Sequence, residues 1–241
     1  MLLVKRVIMS FVLLVCAFSN TVTFANNNTI VFSCSLNPES EFSRALNSIY
    51  TQAFIALGYS FEMRYFKSAT RALEEAQKGN TDGECARVGG FPERFDYNNL
   101  YKLNAVVRTS DFAAWTYNPT ITFSDVESLK QSNYKVGFQN GSLIAQEFAE
   151  LHQLSNLHIA ANFRSTLKML EAERIHVFIS GSDMVLEQAH QIVAKPIHKI
   201  TRFYQFNSYP YLHKKHAQLI PRLELHLNEL LPEGGITTAA F

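Results

Sequence analysis

Arg71, Arg87 and Arg94 fall in one stretch, 71–94, which reads RALEEAQKGNTDGECARVGGFPER. A guanidinium is planar, permanently charged and forked, so it pairs with a carboxylate through two parallel N–H bonds. Any of the three could therefore hold an anionic ligand. A second candidate group lies further on, where Gln139, Asn140, Gly141 and Ser142 open an amphipathic segment. A Gly-bearing loop at a helix start offers backbone N–H groups to an anion. Ser180 and Asp183 close a third apolar run, and Asp183 there could cap a helix or meet a cation. Glu84 is a lone carboxylate and reads as structural rather than as a general acid or base.

These residues need elements to position them. Ala69, Ala72, Leu73 and Ala76 recur at helical spacing, and Gly79 stops that helix. Residues 84–88 are then short and apolar enough for a buried strand carrying Arg87 near its carboxyl end, the end at which open α/β sheets bind ligands. The unit recurs: Phe163, Thr166, Leu167 and Leu170 repeat the spacing, Glu173 stands where Gly79 stood, and 175–180 supply a second strand ending at Gly181. The repetition predicts two similar lobes, although any α/β domain contains several such units. Around them the pattern predicts a strand at 29–34, a helix starting at Asn37 and Pro38 and closed by Gly58, and a strand at 60–66. Strands alternating with helices imply a mainly parallel sheet with right-handed crossovers. Segments 100–115 and 197–212 are extended and aromatic, and a last amphipathic helix carries Ile220, Leu223, Leu227 and Leu230.

Lys5 and Arg6 precede an apolar run at 7–18 that is too short to span a bilayer, and Ala25 supplies a small residue at a cut site. Residues 1–25 read as a cleaved signal peptide, with the mature chain starting near Asn26 in the periplasm. The leader holds two basic residues and no acid, so the remainder is close to neutral. No cluster of Lys and Arg matches a phosphate backbone, which argues against nucleic acid as a partner. Cys34 and Cys85 remain after processing and read equally as small core residues or as a disulfide. Their spacing fits no zinc site, and neither metal nor cofactor is expected. His213 and His216 flank Lys214 and Lys215 and read as a solvated face. No GxSxG elbow, HExxH pair or phosphate-binding loop is present, so an enzyme, for example a secreted hydrolase, is a distant alternative.

Several segments together carry a likeness to a known family: the helix end with Tyr50, Phe54, Leu57 and Gly58, the stretch 78–87, VGFQNGS at 136–142, LEAERIHVFIS at 170–180 and YLHKKH at 211–216. With its exported character, the chain resembles the family 3 extracytoplasmic solute-binding proteins over nearly all of its mature length. The resemblance implies a type II periplasmic-binding-protein-like α/β fold with two lobes. Lobe 1 would comprise 26–107 and 205–241, lobe 2 would comprise 113–200, and the hinge crossings would be 108–112 and 201–204. It implies closure on a small molecule, an amino acid or related carboxylate, followed by docking on an inner-membrane permease. A sensory domain that signals through a partner is the alternative, and a monomer is expected. The family's carboxylate-binding arginine maps onto Arg87, Arg71 or Arg94, with Arg87 favoured because it ends the buried strand. Phe66, Trp115 and Tyr117 would offer aromatic surface near the cleft. The second lobe departs from the amino-acid pattern, with Gly181 in place of the family's acidic residue and Gln139 where a basic residue is frequent.

Overall fold

The computed structural model of the chain describes residues 29–89 and 97–237. The expected signal peptide and Arg94 lie outside the described residues. The strands are β1 (Thr29–Cys34), β2 (Ser60–Tyr65), β3 (Gly83–Val88), β4 (Leu100–Lys102), β5 (Arg108–Thr116), β6 (Val136–Gln139), β7 (Leu157–Ala160), β8 (Val177–Gly181) and β9 (His198–His213). The helices are α1 (Glu41–Ala56), α2 (Ala69–Gln77), α3 (Val126–Gln131), α4 (Leu143–Leu151), α5 (Phe163–Glu171), α6 (Ser182–Ile192) and α7 (Ile220–Leu230), the last preceded by a 3-10 turn at Lys214–Leu219.

The strands form one sheet in the order β2-β1-β3-β9-β5-β8-β6-β7, with β4 also paired to β9. β1 runs parallel to β2 and β3, and β6 runs parallel to β7 and β8. Between these parallel blocks, β5 and β9 make an antiparallel ribbon from Arg108 opposite Ser208 to Thr116 opposite His198. That ribbon carries register shifts between Phe112 and Ala113 and between Ala114 and Trp115. The architecture is therefore mixed α/β, with parallel sheet at both ends and antiparallel strands joining them.

Each block has its own core. At the first, Phe32 meets Tyr50, Phe54 and Phe61 edge-on with ring centroids 5.4 to 5.5 Å apart. Leu223 and Leu227 of α7 enter this core beside Phe42 and Leu46 of α1, so segments from both ends of the described chain fill one layer. The second block is packed on both faces. Phe112, Phe138 and Phe148 lie on one side; Trp115, Phe163, Leu167 and Phe178 lie on the other.

Local chemistry sets the boundaries. α1 begins at Glu41 rather than at Pro38, because the Ser40 side chain accepts from Ser43 N–H while Ser40 itself closes a turn onto Asn37 O. α2 is capped by Ser68 and α5 by Asn162. At α6 Gly181 holds the cap position without a side-chain cap bond, and Ser182 is the first helical residue. Gly79 and Glu173 both end their helices at positive φ, 76° and 56°, and Asn80 and Arg174 N–H groups reach back to Glu75 O and Met169 O. The two units share a helix stop although only one uses glycine.

The histidine segment is not a solvated face. His213 is buried, with its ring 3.3 Å from the position a Gly79 Cβ would take, and its Nδ1 accepts Lys215 N–H. Burial, together with the charges of Lys215 and Lys214, holds its pKa below the usual histidine value. Asp82 collects Val31 N–H, Lys215 Nζ and His216 Nε2 at 2.8, 2.8 and 2.7 Å, tying the 3-10 turn to β1. Burial pushes the Asp82 carboxyl up, but these hydrogen bonds outweigh it and the net pKa is lowered.

Gly83 lets β3 pass between two walls. A Cβ there would sit 2.4 Å from Phe32 Cε1 and 2.4 Å from Tyr211 O. Gly83→Ala should therefore cost about 1–3 kcal/mol in urea unfolding. Gly137→Ala, whose Cβ would meet the movable Ile175 Cδ1 at the same 2.4 Å, should cost less.

Candidate functional site

The loop after β6 meets the start of α2, where Gly141 stands beside Thr70, and Arg87 near the end of β3 reaches the same helix start at Ala69, so the candidate residues divide by whether their element reaches this boundary between the two blocks. β3 reaches it with a bulge. Glu84 pairs with Tyr211 but Arg87 pairs with Tyr209, so one extra residue is inserted between them. In a regular strand, residues three apart point to opposite faces. The bulge cancels that alternation and brings both side chains together, with Arg87 Nε donating to Glu84 Oε1 at 2.9 Å. Glu84 Oε2 accepts the Ala86 N–H that the bulge frees, at 3.1 Å. Burial pushes the Glu84 pKa above the ordinary carboxylate range, against the pull of the Arg87 charge and of these bonds. Arg87 Nη2 donates in turn to Ala69 O in the first turn of α2. The favoured arginine thus stands at the boundary, with two of its donors engaged inside the first block.

Cys34 and Cys85 form a disulfide with Cα atoms 5.2 Å apart. Parallel pairing of Phe32 with Gly83 and Ser33 with Glu84 brings the next two residues side by side. The Tyr50 hydroxyl donates to Cys85 O, and burial drives that phenol well above its usual pKa.

From the other side comes the loop after β6. Asn140 N–H is bound to Ala160 O and Ser142 N–H to Gln139 O, so those two expected donors serve the loop itself. The Ser142 side chain makes no cap bond, and the first N–H groups of α4, at Leu143 and Ile144, have no intrahelical acceptor. Gly141, at φ 79°, lies against α2, with its Cβ position 2.9 Å from Thr70 Oγ1. Two helix starts, α2 and α4, thereby meet across the boundary. β8 ends nearby: Ser180 is buried opposite Ala113, and the Gly181 Cβ position lies 3.3 Å from the Phe206 ring and 3.7 Å from Ser110 Oγ. The backbone of Asp183 lies in the first turn of α6.

The remaining candidates are placed elsewhere. Arg71 projects from α2, 70% exposed, with Glu75 at 4.0 Å. Phe66 is half-buried just past β2, its N–H bound to Cys34 O. Trp115 and Tyr117 do not line the boundary but belong to the core of the second block, because β5 runs antiparallel to β8 and carries them away from Gly181. Burial pushes the Tyr117 phenol up to about 12, with the charge of Glu171 adding to it.

A groove of about 400 Å³ also opens between the blocks. Val88 and Gly89 border it from one side, Ile144, Glu147 and Phe148 of α4 from the other, and Tyr204, Phe206 and Tyr209 of β9 form its floor. Sequence reasoning missed these residues. The signal available was the alternation of Tyr204 with Phe206 within the aromatic strand segment.

No family model matches the chain. An uncharacterized protein of Shewanella oneidensis strain MR-1 is 28% identical over 213 residues, covering 87% of this chain and 80% of that protein. Among solved structures, the GluR0 ligand-binding core in complex with L-glutamate is similar with a TM-score of 0.69 at 13% identity, over 84% of this chain and 91% of the other. A histidine kinase sensor domain with similarity to periplasmic binding proteins gives 0.68 at 12%, over 85% and 90%. An ancestral arginine-binding protein bound to glutamine gives 0.67 at 14%, over 85% and 92%. The fold is that of the two-lobed, type II periplasmic-binding-protein-like domains.

Proposed function

We propose that this chain is an extracytoplasmic ligand-binding domain that captures a small carboxylate-bearing metabolite, an amino acid or a related acid, between its two blocks. One observation carries the reading: the starts of α2 and α4 converge from opposite sides, with Thr70 beside Gly141. Each helix start carries N–H groups and the positive end of a dipole, so the boundary between them favours an anion. Arg87, Gly141, Ser142 and Ser180 are the contacts assigned to the ligand there. Lobe 1 is taken as 26–107 with 205–241 and lobe 2 as 113–200, with 108–112 and 201–204 as the hinge crossings; the register shift where Phe112 pairs with Tyr204 and Ala113 with Arg202 supports this, since a bulge bends the strand that carries it.

Both transport and sensing use such a domain, and the similar structures include an arginine-binding protein and a histidine kinase sensor domain. An inner-membrane permease is the first partner proposed and a signalling protein the second. A thermal-shift panel of amino acids, organic acids, polyamines and short peptides tests the ligand class. A true ligand at a hundredfold excess over its Kd should stabilise the protein by about 2.7 kcal/mol. Stabilisation by carboxylates supports the reading; a panel in which only polyamines act, or none does, overturns it.

A further inference from the structure

The boundary between the blocks is closed by an apolar contact as well as by the loop. Leu73 and Ala76 of α2, Leu100 of β4 and Tyr211 of β9 form a small buried cluster on the first block. Leu143, the first residue of α4 on the second block, packs against it, together with Tyr209. Two residues earlier, Gly141 takes a positive φ and brings the loop so near Thr70 that an added Cβ would stand 2.9 Å from its Oγ1. A turn confined to the second block would need only the backbone angle. The approach to Thr70 adds a second demand for glycine, one that exists only while the blocks are together.

We infer that Leu143 is a closure latch: it seats in a receptor patch on α2, β4 and β9 and holds the two lobes together through protein contacts alone. The inference rests on the two-lobed reading above but on no particular ligand. Apolar burial is non-directional and scales with the area removed from water, so the contact favours the closed arrangement whatever the cleft holds. A ligand then acts on an equilibrium that the chain itself already biases, and its differential affinity for closed and open forms decides how far it moves it. Such a bias suits a domain whose partner reads its conformation, because a carrier that must open to load works against its own latch.

The test uses spin labels at Glu74→Cys and Glu150→Cys, exposed positions on α2 and α4, in protein with the Cys34–Cys85 disulfide intact and freed of small molecules by unfolding, dialysis and refolding. The parent should give one short inter-label distance by pulsed electron resonance. Leu143→Asp should lower the closed-to-open ratio at least tenfold and add a longer distance. Gly141→Val should act in the same direction by wedging against Thr70. Circular dichroism melts identify any variant that fails to fold, and the other variant then decides. A parent that is mainly open, or folded variants with unchanged distances, would overturn the latch. Because no compound is added, that result leaves the ligand panel unaffected, and a failed panel leaves the latch intact.

Discussion

Removing the disulfide should produce a large loss of stability. Cys34 and Cys85 are 51 residues apart, and the chain-entropy model assigns a crosslink of that span about 4 kcal/mol, because it removes loop-closure freedom from the unfolded chain. For a protein of this size each kcal/mol moves Tm by about 2–4 °C, so Cys34→Ala with Cys85→Ala should melt roughly 10 °C below the parent. The local structure adds to the case. The bridge fastens β1 to β3 within the bulge itself, where Tyr50 also holds the Cys85 carbonyl. Loss of the bridge should therefore loosen the wall carrying Arg87 as well as the whole domain. Differential scanning calorimetry of the parent, the double variant and the parent in reductant measures the effect. The last two should coincide, and a double variant within 1 kcal/mol of the parent would show that the unfolded chain is already constrained without the bridge.

Much of the fold was legible because amphipathic helices of two or more turns declare themselves. Phe42, Leu46 and Tyr50, or Phe163, Leu167 and Leu170, are buried as their spacing requires. What escaped reading was set by contacts distant in sequence. β7 is only four residues long and lies at the sheet edge, and its alternating Leu157 and Ile159 are exposed rather than turned into a core, so the pattern is too short and too weakly buried to declare a strand. Trp115 and Tyr117 were expected near the cleft because they follow the crossing closely. A strand advances about 3.4 Å per residue, so the three positions from Phe112 to Trp115 carry the chain roughly 10 Å past Gly181. Glu173 ends its helix in a left-handed conformation that glycine adopts more readily, and only the parallel with Gly79 hinted at it. At the site, the arginine's position was readable but its partner was not. A regular strand would have pointed Glu84 and Arg87 apart, and nothing local in GECARV announces the bulge that joins them.

That pair makes the second large prediction. Glu84 is fully buried and Arg87 nearly so, with side-chain exposures of 0% and 12%. Truncating one partner of a buried pair leaves the other charge uncompensated, at a cost of about 3–5 kcal/mol. Arg87→Ala should lose that much at neutral pH and less in acid, for the following reason. Burial already raises the Glu84 pKa in the folded protein, and the Arg87 charge is the leading influence that opposes it. Without Arg87 the folded-state value rises further above the unfolded one. A carboxyl with a raised folded pKa contributes stability that is complete below its unfolded pKa and is lost as pH rises through the folded value. The difference between parent and Arg87→Ala should therefore widen from about pH 4 upward. Glu84→Gln combined with Arg87→Ala should recover much of the loss at neutral pH, since the amide oxygen can still accept the Ala86 N–H without a buried charge. Urea unfolding of the parent and the two variants across that range measures the effect. A loss below 1 kcal/mol that does not change with pH would mean that the Glu84 charge is neutralised from elsewhere, and that Arg87 is free to serve the ligand alone.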